Sequence, residues 1–433
     1  MKKTALLLAV LLALGSLSLF GCSGGGTQEE GKTVTMVIES DKMTYYNGLK
    51  AEFEQLYAEE GYTISFVPVG GGQVEDKQSN MIAQRQAPDI IVGGDVHINS
   101  QYKYLLDLTE LVERDAEEVD YDDFIPQIMN ELQIDGKLYY LPEFFNTSLL
   151  YYNIDMFDRY NADPANTEKL EYPQADWTYE EFYAAADKLT DRPGYSEFGC
   201  YSIIGWWGEW LIHVRQAGGD FMKDGQVVLN TSEAKEGMQR YVDKMYAENR
   251  ISNRVGELDL GGFSGGKYAM NYGGHVKDWV DFRAVEDLNW DIQLLPAVDG
   301  NQKGGELSIS GLGIYAQSPN TEAAWAFIKF LTRKRDLEEW QAYPYIPPRT
   351  SGKNLLLSVP KEERPCPQNL EVAYQSLEEG YSTILPNERY FVYVNTQIVQ
   401  NYVTRILEGE FSVADGLAEA TQRANDYIRQ NYS

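Results

Sequence analysis

The sequence predicts an α/β protein built as two units. Three observations carry this. The chain has 433 residues, more than one hydrophobic core usually serves. Its opening part alternates strand-like and helix-like segments, the pattern of a parallel sheet with helices on its faces. Its middle part begins such an alternation again. Apolar residues make up 43%, enough for folded cores and too many for a disordered chain.

The elements follow in order. Residues 34–38 read as a buried strand. A helix follows, with Leu49, Phe53, Leu56 and Tyr57 at helical spacing. Residues 62–69 alternate like a strand, 76–86 are helical in pattern, and 89–92 form a short apolar strand ending at Gly93-Gly94. Ligands of such sheets lie beyond the carboxyl ends of the strands. This directs attention to residues 39–41, 70–72 and 93–95. In the second unit, residues 147–152 and 267–272 read as strands. Thr178-Tyr179-Glu180-Glu181 has the form of a capping box. Residues 232–248 and 323–331 are helical. Pro344, Pro347 and Pro348 then break the chain, and Val413, Leu417, Ala420 and Ala424 align on a closing helix.

The first 21 residues read as a leader. Lys2 and Lys3 precede an apolar run over residues 5–20, too short to span a bilayer comfortably and suited to a secretory signal. The run ends in Leu19-Phe20-Gly21-Cys22, which resembles the bacterial lipobox. That resemblance implies cleavage before Cys22 and lipid attachment to it. Residues 22–32 read as a flexible polar tether. No later segment is long and apolar enough to span a bilayer, so membrane contact is expected only through the lipid. The expected location is the extracellular face of the cell membrane, or the periplasm if the source is Gram-negative.

The charge balance excludes several function classes. With 37 basic and 66 acidic residues the formal charge is −29, which repels nucleic acid and anionic headgroups. The three histidines, His97, His213 and His275, are scattered without metal spacing, and no cofactor motif occurs. Cys200 and Cys366 leave one disulfide pairing open. The 31 tyrosines and eight tryptophans fit cores with wet edges, and equally a cleft offering flat apolar faces to sugar rings. Gly262-Phe263-Ser264-Gly265-Gly266 matches G-x-S-x-G formally, but a glycine-rich turn leading into a strand is the wrong setting for a nucleophile elbow.

Several segments, in a shared order, carry a resemblance. They are Glu39-Ser40-Asp41-Lys42 with Tyr46-Asn47-Gly48-Leu49, Ala87-Pro88-Asp89-Ile90-Ile91, Leu106-Asp107-Leu108, Asp135-Gly136-Lys137-Leu138 through Pro142, Tyr151-Tyr152-Asn153-Ile154-Asp155, Gly266-Lys267-Tyr268-Ala269-Met270, Ala324-Trp325-Ala326-Phe327 and Ile346-Pro347-Pro348-Arg349. Together they resemble family 1 extracellular solute-binding proteins, the group that includes maltose-binding protein. The resemblance implies a type II periplasmic-binding-protein-like fold. It would have two α/β lobes, each a sheet flanked by helices, with a ligand cleft between them. The expected lobes are residues 33–142 plus 297–343, and 143–296 plus 344–433. The implied role is the substrate-binding subunit of an ABC importer: a monomer without cofactor or catalysis that hands its ligand to permease subunits by hinge closure.

Candidate ligand residues follow from both readings. Asp41 matches the family position past the first strand, where a carboxylate accepts sugar hydroxyls. Asp95 sits on a glycine-flanked turn past the third strand. Asn146 lies where relatives place a polar or acidic contact, with Glu143 as the nearby substitute. Trp206, Trp207 and Trp210 form an unusual cluster. If helical, Trp206 and Trp210 share a face. Tyr272, His275 and Trp279 follow the alanine–methionine strand, near where relatives carry a stacking tryptophan. Ser310 lies where the family brings backbone to the ligand. Tyr345, Arg349 and Tyr390 complete the set. A sugar or oligosaccharide is the expected cargo, because aromatics are abundant and bases sparse. The alternatives are a polyamine, a phosphorylated or acidic small molecule in the same role, or a secreted glycan hydrolase.

Overall fold

The computed structural model describes residues 32–378, 381–386 and 388–432. The leader and Cys22 lie outside them. Among the described residues the strands of the main sheet are β1 (Thr33–Glu39), β2 (Thr63–Val69), β3 (Ile90–Gly93), β4 (Leu141–Asn153), β5 (Phe198–Tyr201), β6 (Tyr268–His275), β7 (Trp290–Gln293), β8 (Gly305–Ile314) and β9 (Ser382–Ile384). They join one sheet in the order β2-β1-β3-β8-β4-β6-β5, with β7 against β4 and β9 against β8. The helices that matter here are α1 (Met43–Leu56), α2 (Val74–Ala83), α3 (Tyr179–Lys188), α4 (Trp207–Gln216), α5 (Ser232–Tyr246), α6 (Thr321–Leu331), α7 (Glu371–Glu378), α8 (Gln400–Leu407) and α9 (Val413–Tyr432).

The opening alternation does what its periodicity predicts. Strand β1 pairs in parallel with both β2 and β3, and α1 and α2 are the crossovers. Helix α1 turns Tyr46 and Phe53 inward, and Phe53 meets Phe327 and Phe330 of α6 edge-on at 4.9 and 5.5 Å. Leu56, expected on that face, is 66% exposed because the helix ends there. The capping box at α3 is present. The Glu181 N–H donates to Thr178 Oγ1 at 3.2 Å, and the Thr178 N–H to Glu181 Oε2 at 2.8 Å.

The central element is β4. It runs for 13 residues and is buried at every position. Its first half pairs antiparallel with β8, from Leu141↔Leu312 to Thr147↔Leu307. Its second half pairs antiparallel with β6, through His275↔Ser148 and Met270↔Tyr152, and with β7. One strand thus belongs to two groups of partners and changes them near Thr147. One buried core cluster gathers β1, β3, β8 and α6, a second surrounds α4, α5, α8 and α9, and a third packs α3 against β4 and β6.

Strand β8 was not expected from the sequence. Its glycines mask the strand pattern, and packing explains them. A Cβ at Gly311 would lie 2.8 Å from Tyr140 Cβ, and one at Gly313 would lie 2.7 Å from the Tyr139 carbonyl oxygen. Strand β4 also begins six residues earlier than expected, through Pro142. Cys200 and Cys366 are both free thiols. Phe145 sits at the first half of β4, fully buried, 5.9 Å from the Tyr374 ring of α7. Replacing it with alanine is expected to destabilise the fold by about 3–5 kcal/mol, read as a lowered urea midpoint with the slope unchanged.

Candidate functional site

The register of β4 with β8 and β6 places a polar strip across the crossing. Opposed residues of an antiparallel pair share a face, and so do residues two apart on one strand. Ser310 faces Phe144, Ser308 faces Asn146, and His275 faces Ser148. Glu306 continues the Ser308–Ser310 face, and its N–H donates to Ser148 Oγ at 3.0 Å. The other face carries Leu307, Ile309, Phe145 and Leu149, all in the core. The strip is therefore Phe144, Ser310, Asn146, Ser308, Ser148, Glu306 and His275, taken across the sheet. Ser308 and Ser310 are half-buried and Asn146 is 9% exposed.

Aromatic rings close both ends. At one end Tyr345 stacks on Phe144 with centroids 3.9 Å apart, and Lys42 Nζ lies 5.8 Å from each ring. Lys42 is also paired with Glu39 at 2.8 Å. At the other end Trp206 meets the His275 ring edge-on at 4.7 Å. His275 Nε2 lies 3.0 Å from Glu306 Oε2, while its ring also accepts the Asp278 N–H. Beside Trp206 is a cavity of about 290 Å³ lined by Ile204, Gly205, Val255, Gln400, Thr404 and Leu407. Gln400 follows a π-helical segment, Val394–Val399, a distortion frequent at functional sites. A second, much smaller cavity, about 30 Å³, lies behind Tyr345 among Trp279, Trp340 and Pro347.

Two buried carboxylates flank the strip. Asp95 is 2% exposed, and its Oδ1 accepts the Ile309 N–H of β8 at 2.7 Å. Burial pushes its carboxyl up to about 7, against the lowering pull of that hydrogen bond. Gly94 permits the approach, since a Cβ there would stand 1.7 Å from the Ile309 carbonyl oxygen. Glu143 accepts the Tyr46 hydroxyl at 2.7 Å, and burial raises its carboxyl as well, with Tyr46, Lys42 and Arg335 opposing. Asp95 Oδ2, Glu143 Oε2, Asn146 Oδ1 and Gln400 Oε1 are buried without a hydrogen-bond partner.

The structure gathers some of the expected residues and disperses others. Asn146, Ser310, His275, Trp206 and Tyr345 meet at the strip, Asp95 and Glu143 border it, and Asp41 is exposed just ahead of α1. Trp207 packs edge-on against Phe391 at 5.9 Å. Trp210 is fully buried, stacked near Phe221. Tyr272 is buried in the core and donates to Gln216 Oε1 at 2.6 Å. The Trp279 indole N–H donates to the Tyr151 hydroxyl oxygen at 2.6 Å. Arg349, 1% exposed, donates to the carbonyls of Thr332, Asp120 and Val119 and to Asp123, which commits its donors to the fold. Tyr390 donates to the Gly225 carbonyl. Phe144, Ser308, Glu306 and Gln400 were not foreseen. For Glu306 and Ser308 the available signal was the period-two alternation leading to Ser310. The G-x-S-x-G match is a 3-10 turn, Phe263–Gly265, that precedes β6. Among the described residues no group of three or more His, Cys, Asp or Glu is placed to hold a metal, and no helix is long and apolar enough to cross a membrane.

Residues 40–337 match the bacterial extracellular solute-binding protein family. The chain belongs to that family. This solute-binding protein is 24% identical over 357 residues to an arabinooligosaccharide-binding protein of Bacillus subtilis (strain 168), a match covering 76% of each chain. Among solved structures it resembles an ABC substrate-binding protein from Listeria monocytogenes in complex with cycloalternan. The TM-score is 0.77 at 22% identity, covering 92% of this chain and 99% of that one. It also resembles a solute-binding protein from Agrobacterium radiobacter K84 in complex with ribitol, with a TM-score of 0.74 at 23% identity, covering 92% and 99%. The fold is that of type II periplasmic binding proteins.

Asp95 sets a pH dependence. Its folded pKa, about 7, stands above the unfolded value of about 4, so the group favours the fold below pH 4 and loses that contribution as pH rises through 7. Asp95→Asn keeps the acceptor for Ile309 and cannot ionise. The variant is expected to match the parent near pH 4 and to exceed it at pH 8, by an amount on the order of 1–4 kcal/mol, measured by urea unfolding at the two pH values.

Proposed function

We propose that this protein is the substrate-binding subunit of an ABC importer and that it captures a sugar or oligosaccharide on the strip across β4 and β8. One observation carries the reading. The buried, unpartnered oxygens that border the strip, on Asp95, Glu143, Asn146 and Gln400, accept hydrogen bonds when the two carboxyl groups are ionised. A ligand rich in hydroxyl groups supplies the donors these atoms lack, and an unmade bond at such an atom is costly. An anionic cargo would bring further acceptors instead. The aromatic ends, Phe144 with Tyr345 and Trp206, give flat faces for sugar rings.

Hinge motion about the crossing strand would close the two parts of the chain over the ligand, and the closed form is what a permease would read. The role is capture and delivery, with no bond made or broken. Lipid attachment at Cys22 and a tether would hold the protein at the outer face of the membrane.

A thermal-shift panel tests the cargo. Arabino- or malto-oligosaccharides are expected to raise the melting temperature by mass action. Asn146→Ala and Trp206→Ala are each expected to weaken the binding by about 10-fold or more, on the order of 1–3 kcal/mol, with the ligand-free melting temperature nearly unchanged. A shift with polyamines and none with any sugar or polyol would overturn the sugar reading and leave the importer role standing.

A further inference from the structure

The turn that presents Trp206 is gripped from behind by a buried charged group. The Trp206 N–H donates to the Ile203 carbonyl at 2.9 Å, and Gly205 takes φ +76° at the third position of this turn, where glycine is favoured. Glu209, in the first turn of α4, accepts the Ile203 N–H on Oε2 at 2.8 Å and pairs with Lys244 through Oε1. Tyr241, three residues before Lys244 on α5, accepts the Gly205 N–H at 2.8 Å and donates to the Ile203 carbonyl at 3.3 Å. The Glu209 and Lys244 side chains are 1% and 0% exposed, and Tyr241 is fully buried. The ammonium also lies 5.1 Å from the centroid of the Tyr272 ring.

A buried ion pair is a poor source of stability, because desolvation offsets the attraction and an apolar replacement is often no worse. Its retention in this core has a local correlate. Between them, Glu209 and Tyr241 hold two N–H groups and one carbonyl of the turn, and Lys244 fixes Glu209. Trp206 is the N-cap of α4, with no side-chain cap of its own. We propose that Glu209, Lys244 and Tyr241 are positioning residues that fix the Trp206 ring against His275 at the edge of the strip. The proposal rests on the reading of Trp206 as a contact for the cargo. The three residues touch no ligand themselves and act through the turn.

The test uses the full chain labelled with 5-fluorotryptophan, with the Trp206 fluorine line assigned by Trp206→Phe. Two variants are compared with the parent. Tyr241→Phe removes one hydroxyl, and the double change Glu209→Gln with Lys244→Met removes both charges without stranding either. In the absence of ligand, both are expected to shift or split the Trp206 line while the lines of Trp290, Trp325 and Trp340 stay in place. Both are also expected to weaken arabino- or malto-oligosaccharide binding about tenfold in the parent, and not at all in a Trp206→Ala background. An unmoved Trp206 line in both variants overturns the proposal, as does equal weakening in the two backgrounds. The ligand-free spectra decide the anchoring even where neither sugar binds. A displaced line with undiminished sugar affinity upholds the anchoring and removes Trp206 from the cargo contacts.

Discussion

Strand β4 has to satisfy two sets of partners with one backbone. Every peptide group along its 13 buried residues must find a hydrogen bond away from water. The first half finds them on β8 and the second on β6 and β7. That constraint sets the rest of the architecture. A strand covered on both faces needs apolar groups on each side, and Phe145 and Leu149 on one face and Leu150 on the other supply them. Where the partners change, one face is polar, at Asn146 and Ser148. The candidate site is thus the place where neither core fully covers the shared strand.

The electrostatics of that place depend on the same constraint. Carboxylates at Asp95 and Glu143 are kept from water by the packing around β8 and β4, and each keeps one oxygen unpartnered. An isolated buried acceptor normally weakens a fold. Here the oxygens border a strip with aromatic ends, where a donor-rich ligand would relieve that cost. Arg349, remote from the strip, is a contrast. Arg349 places its guanidinium over the Phe124 ring at 3.7 Å and gives its donors to backbone carbonyls. Its charge is spent on joining segments of the fold.

Legibility in the sequence followed locality. The parallel β1–β3 unit and the α3 capping box depend on neighbours in the chain, and periodicity with cap chemistry was enough to find them. Asn146, which lies opposite Ser308 on the strip, was singled out by its place just after Pro142 in a motif. Strand β8 was not found, because Gly305, Gly311 and Gly313 answer to tyrosine rings and carbonyls from elsewhere in the fold. The tryptophan cluster shows how one residue of register matters. Reading residues 206–210 as helix put Trp206 and Trp210 on one face. The helix begins at Trp207, so Trp206 turns to His275 while Trp210 enters the core. The partnership of Glu209 with Lys244 spans 35 residues and leaves no local pattern.

The order of the strands along the chain has a consequence for synthesis. Strand β3 emerges early, yet its partner β8 lies more than 200 residues later, and β8 also supplies the other edge for β4. Until residue 314 is available, β3 and β4 each lack the neighbour that completes the sheet. Contacts of such long sequence separation form slowly. A nascent chain of this design can complete its central sheet only after most of its length has been made, in a family described as extracellular.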